Sequence, residues 1–143
     1  MVSNFTNLQY LLDSNLISEP TKPKPCLNVI QKLNLNERMM GVPSLVIHEM
    51  QYGYLKMPEG QRKNAIAEYL KGVVSLLPVL NYDEKSARIH AEIRAHLQTQ
   101  GMTLPFVDGQ IAAIAIANGL TLVTRNTQDF QRIPGIRLEN WFS

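Results

Sequence analysis

Apolar runs of strand length alternate along the chain with longer stretches in which apolar residues recur every three or four positions. That alternation predicts helices interleaved with the strands of a mainly parallel sheet, an α/β fold in which helices flank the sheet. The first strand is predicted over residues 9–13, with Ser14 and Asn15 ending it, and EPTKPKP (19–25) reads as a loop before a helix over about 26–35. A second strand, 39–42, runs into Pro43 and Ser44, which open a helix with Ser44 as the expected N-cap. Leu45, Ile47 or His48, Tyr52 and Leu55 are its expected apolar stripe, and Glu49 lies inside it.

A further helix is predicted over about 61–76, then a short strand over 78–81 and a cap at Asp83. Ser86, Ile89, His90, Ile93 and Leu97 then share one helix face, and Gly101 stops that helix. FVDGQIAAIAIANG (106–119) is apolar almost all round after its first turn, which predicts a buried helix carrying Asp108 near its start and closed by Asn118 and Gly119. The strand TLVT follows, then a turn over 126–130 and a last strand over 136–139.

The 143 residues, 45% of them apolar, suit one domain with a single core, taken as 1–143. No stretch approaches the roughly 18 to 20 apolar residues of a membrane span, and the opening MVSNFTNLQYLLD lacks the basic flank and apolar run of a leader, so a cytoplasmic protein is expected. One cysteine, Cys26, allows neither an internal disulfide nor a thiolate metal cage. A net charge of +2 decides little.

Three acids stand where the apolar pattern asks for no charge: Asp13 ending a strand, Glu49 in an amphipathic helix and Asp108 opening a buried one. A fourth, Asp129, follows the strand TLVT. Each has an ordinary reading as a cap, a helix-dipole partner, a solvated side chain or a turn residue. Strand ends of an open α/β sheet share one crevice, however, and carboxylates gathered there repel unless a cation neutralises them. With no cysteine cage and no paired histidines, that cation would be Mg²⁺ or Mn²⁺. His90 and His96 do not share a helix face and His48 points away from its neighbour Glu49, so no histidine is assigned to catalysis.

YLLDSNLISE resembles the first strand of PIN-domain nucleases, SLVIHEMQYG the helix bearing their acidic residue, and FVDGQIAAIAIANGLTLVTRNTQDF their third-acid helix and following strand. The resemblance spans nearly the whole chain and is nearest to the VapC-type toxins of toxin–antitoxin pairs. It implies a metal-dependent endoribonuclease with Asp13, Glu49, Asp108 and Asp129 as its acids, Asp13 and Asp108 holding metal most directly, and Asn15, Thr124 and Asn126 as polar supports. It also implies RNA as substrate, 5′-phosphate and 3′-hydroxyl products, an antitoxin partner and a homodimer. Tyr52, Tyr54, Met57 and Tyr69 are candidate dimer contacts.

Ser14 stands where Thr is more usual, and Gly109 follows the third acid, where it could loosen the turn that aims Asp108. Arg125, Lys22 and Lys24, with Lys56, Arg62 and Lys63, are candidates to hold RNA phosphates, although each also reads as a solvated charge. A receiver-type phosphoacceptor would end its middle strand in Asp and carry a late Lys. Here that strand ends in Asn81 and no Lys follows Lys85. An RNA-binding module without catalysis would not require the intact set of acids.

Overall fold

The computed structural model describes residues 7–143. Five strands, β1 (Tyr10–Leu12), β2 (Met40–Pro43), β3 (Val79–Leu80), β4 (Thr121–Val123) and β5 (Leu138–Glu139), form one sheet in the order β3-β2-β1-β4-β5. Every pairing is parallel: Leu11 lies beside Gly41 and Leu122, Val42 beside Val79, and Leu122 beside Leu138. Parallel neighbours need crossover connections. These contain α1 (Ser14–Ser18), α2 (Leu27–Leu35), α3 (Ser44–Leu55), α4 (Gln61–Gly72), α5 (Glu84–Thr99), α6 (Phe106–Ala117) and α7 (Thr127–Phe130).

Topology places the site. From β1 the chain steps outward to β2 and β3, then returns to lay β4 on the other side of β1. Strand order therefore reverses between β1 and β4, and ligands of open α/β sheets bind beyond the carboxyl ends of strands at such a reversal. Asp13 follows β1 and Thr124 follows β4, so both stand at that point.

The core follows the predicted patterns for the later helices. On α5, Ser86, His90, Ile93 and Leu97 are buried and Ile89 packs partly against the core. The Asp83 carboxylate accepts the Ser86 N–H at 2.9 Å as its N-cap. Ile111 to Ala115 of α6 are buried, and Gly119 closes that helix at φ +66°, a left-handed position suited to glycine.

Several expectations need correction. Asp13, not a residue after the proline-rich loop, opens the first helix: α1 begins at Ser14, and a 3₁₀ turn, Glu19–Thr21, occupies the start of the predicted loop. Ser44 does not cap α3. The cap position is Pro43, in extended backbone and with no side-chain bond, and Ser44 is already helical. The buried side of α3 runs through Val46 and Met50 toward Gly53 and Tyr54, so Tyr52 and Leu55, assigned to the apolar stripe, are exposed. Finally, α4 ends at Gly72, and a separate 3₁₀ turn, Val74–Leu76, completes the stretch read as one helix.

Gly41 is the one strand position where a side chain has no room. A Cβ there would lie 2.5 Å from Leu80 Cδ1, 3.2 Å from Leu8 Cδ1 and 3.4 Å from the Pro78 carbonyl oxygen. Gly41→Val should therefore cost about 1–3 kcal/mol through overpacking, read as a lowered urea midpoint. An unchanged midpoint would mean that β2 and β3 separate freely.

Candidate active site

The Asp13 side chain does two things at once. Its Oδ1 accepts the Ser14 N–H at 2.8 Å, capping α1, and its Oδ2 accepts the Thr124 hydroxyl at 2.9 Å. Capping is an ordinary reading of this residue, and it holds at a position that directly follows β1. The Thr124 oxygen in turn accepts the Asn126 N–H at 3.1 Å, which leaves the hydroxyl hydrogen for Asp13. Both residues are buried. Burial pushes the Asp13 carboxyl above its ordinary value, the two hydrogen bonds oppose this, and the Glu49 charge adds to the rise.

Asp108 lies half-buried in the first turn of α6. Burial raises its pKa most, followed by the charges of Asp13, Asp129 and Glu49. The charges of the other three acids singled out in the sequence therefore reach Asp108, and that of Glu49 also reaches Asp13. Glu49 on α3 and Asp129 on α7 are exposed. Among the described residues, no three His, Cys, Asp or Glu side chains stand close enough together to form a metal-holding group.

The polar supports are used unequally. Asn15 Oδ1 accepts the Arg125 N–H at 3.3 Å, tying α1 to the segment after β4. Thr124 touches Asp13 directly, whereas Asn126 contributes its backbone. The candidate phosphate-binding cations divide further. Lys22 pairs with Glu19 at 3.0 Å, Lys63 with Glu59 at 3.0 Å, and Lys56 lies over the Tyr52 ring. Arg62 donates to the Thr21 carbonyl at 3.5 Å. Lys24 is exposed. Arg125 is exposed, with its guanidinium 4.7 Å from the Phe142 ring centre.

Glu19 is the last residue of YLLDSNLISE. It is a buried acid whose Oε2 accepts the Cys26 N–H at 2.8 Å; that bond first, then Lys22, lowers its pKa. Glu19 thus ties the loop to α2 and takes up the Lys22 charge. A charged residue two positions after the apolar pair Leu16 and Ile17 is the signal available for it. The Phe142 platform under Arg125 had no such signal, because 17 residues separate them and only tertiary structure joins them.

The model of the PIN domain family matches residues 10–136, covering β1 and the segments that carry all four acids. The chain belongs to the PIN domain family. It is 37% identical over 134 residues to the tRNA(fMet)-specific endonuclease VapC of Shigella flexneri, covering 94% of this chain and 98% of that protein. It is 36% identical to toxin FitB of Neisseria gonorrhoeae over 84% of this chain and 89% of its relative. Among solved structures, DNA-bound VapBC from Salmonella typhimurium superposes with a TM-score of 0.77 at 34% identity, covering 94% of this chain and 98% of that one. The parallel sheet and its flanking helices are the PIN fold anticipated from the motifs, and this membership sets aside the receiver-type alternative. No helix among the described residues is long and apolar enough to cross a membrane.

Proposed function

We propose that this PIN-domain protein is a metal-dependent endoribonuclease, the toxin of a toxin–antitoxin pair, in which Asp13, Glu49, Asp108 and Asp129 form the acidic site. Asp108 carries the reading: a half-buried carboxyl at the start of a buried helix, its proton affinity raised first by burial and then by the charges of Asp13, Asp129 and Glu49. Repulsion kept at a strand-end crevice suits a site that holds a cation.

The donors are all carboxylate oxygens, which fit Mg²⁺ or Mn²⁺. Asp13 and Asp108 would hold the ion, with Glu49 and Asp129 reaching it or its waters. Such an ion, when bound, lowers the pKa of a water and offsets negative charge gathering on the phosphate. The chain's own part is orientation. Ser14 and Thr124 fix both Asp13 oxygens, Asn126 fixes Thr124, and Asn15 holds the backbone of Arg125. Arg125, steadied over Phe142, offers a planar cation to RNA phosphates at the rim of a negative notch, with Lys24 a second, looser contact.

The Shigella flexneri relative is specific for tRNA(fMet) by its name, which makes tRNA the first substrate to test. Purified protein should cut RNA with Mg²⁺ or Mn²⁺ and leave 5′-phosphate and 3′-hydroxyl ends. Equal cutting in EDTA, or none with either ion, would overturn the reading.

An antitoxin and a second copy complete the proposed assembly. Of the four candidate dimer contacts, Tyr69 is spent internally, its hydroxyl donating to the Ile17 carbonyl at 2.6 Å. Tyr54 and Met57 are half-buried. Tyr52, with Leu55 one turn on, is exposed and is the contact that remains available. Light scattering should show a dimer for the wild type and a monomer for Tyr52→Glu/Leu55→Glu; a wild-type monomer at high concentration would remove the dimer from the proposal.

A further inference from the structure

Gly109, which the sequence suggested would loosen the turn carrying Asp108, is instead a point of close contact. A Cβ at this position would lie 2.5 Å from His90 Nε2 and 2.8 Å from His90 Cδ2. The imidazole is therefore pressed onto the backbone of α6 where no other residue would admit it. Phe106, in the same turn, meets that ring edge-on at 4.7 Å between centroids. On the sheet side, the Tyr82 hydroxyl lies 2.9 Å from His90 Nδ1, and Tyr82 follows β3 by two residues. His90 is only 2% exposed. It is gripped between the edge of the sheet and the first turn of α6, and Asp108 sits in that turn between the two residues it touches.

Asp13 has two hydrogen bonds to fix its carboxylate. Among the described residues, no donor is bonded to the Asp108 carboxyl, so its placement comes from the turn that bears it. We propose that His90 is a positioning residue: wedged against Gly109 and Phe106 and tied to Tyr82, it sets the first turn of α6 and so aims Asp108 at the site. Gly109 is then the complement of the imidazole. The inference rests on the nuclease reading for its kinetic consequences, while the placement of Asp108 has a separate readout in Mg²⁺ binding.

A double-mutant cycle tests it. Gly109→Ala forces a methyl group against the ring and should lower kcat by about a hundredfold with little change in KM, the cost of a misplacement near 1 Å. His90→Ala alone should lower kcat by about tenfold. His90→Ala/Gly109→Ala, with the clash gone, should sit near the His90→Ala level and not at the product of the two losses. His90→Phe, which keeps a ring against Gly109 and Phe106, should recover most of the rate. The Mg²⁺ concentration that half-saturates the rise in Tm should follow the same order across the four variants, with no RNA present. Gly109→Ala with wild-type kcat and Mg²⁺ midpoint, or a double variant whose losses multiply, would overturn the proposal. If Mg²⁺ binding follows this order but the wild type cleaves no RNA, the positioning stands and the nuclease reading falls.

Discussion

Asp13→Asn should lower the initial rate of RNA cleavage at saturating Mg²⁺ by more than about a hundredfold, since loss of groups that merely support metal ligands already costs about 10- to 100-fold. The amide keeps the shape and one acceptor oxygen. With its oxygen kept on the Ser14 N–H, its NH₂ faces Thr124, whose hydroxyl must then turn from donor to acceptor as the charge disappears. Asp108→Asn should fall as far. Thr124→Val removes only the hydroxyl that orients Asp13 and should cost about 10- to 100-fold in rate, together with about 1–3 kcal/mol of stability for a buried acceptor left short of a partner. Glu49→Gln and Asp129→Asn, at exposed positions, should lose less than Asp13→Asn. Should Asp13→Asn and Asp108→Asn both keep near wild-type rates, the site has been misassigned.

Magnesium should raise the melting temperature of the wild type. The ion binds the gathered carboxylates of the folded site far better than the dispersed ones of the unfolded chain, so stability grows as RT ln(1 + [L]/Kd), about 1.4 kcal/mol at ten times Kd. In EDTA the same carboxylates oppose folding, and the sign with pH follows. Asp13 and Asp108 both have folded pKa values raised above 3.8. Between the unfolded and folded values the native state therefore holds more protons, and metal-free stability falls as pH rises through that window. Above it the penalty is full. Asp108→Asn removes one of these charges, so in EDTA near neutral pH it should melt at or above the wild type while gaining much less from Mg²⁺. Calorimetry at fixed ionic strength separates this from general screening. A wild-type Tm indifferent to millimolar Mg²⁺, with an Asn variant that is simply less stable, would mean that the four acids do not share a cation.

Much of this could be read from the chain because the strongest signals are local. The buried helix α6, with its apolar circumference and Gly119 stop, and the α5 stripe capped by Asp83 both appear as expected, since period and capping chemistry there agree with tertiary burial. Asp13 and Asp108 were visible as charges interrupting apolar patterns. What escaped depended on partners far away in sequence. A five-residue α1 is too short to show a period, and its cap is a residue that also serves the site. The α3 stripe is half right: Leu45 and Ile47 pack partly against the core, but Tyr52 and Leu55 are exposed, because all four are apolar or aromatic and only tertiary packing selects Val46 and Met50 beside the first two. Gly109 looked like a weakness because its complement, His90, lies 19 residues earlier on another helix.

The most direct test of one shared cation site serving cleavage is a Mn²⁺ titration followed by electron paramagnetic resonance, with cleavage measured on the same samples. The wild type should take up Mn²⁺ with a midpoint that coincides with the midpoint for RNA cleavage, and Asp13→Asn should lose both together. Mn²⁺ binding left unchanged in Asp13→Asn, or cleavage that reaches full rate before any ion is bound, would contradict the account.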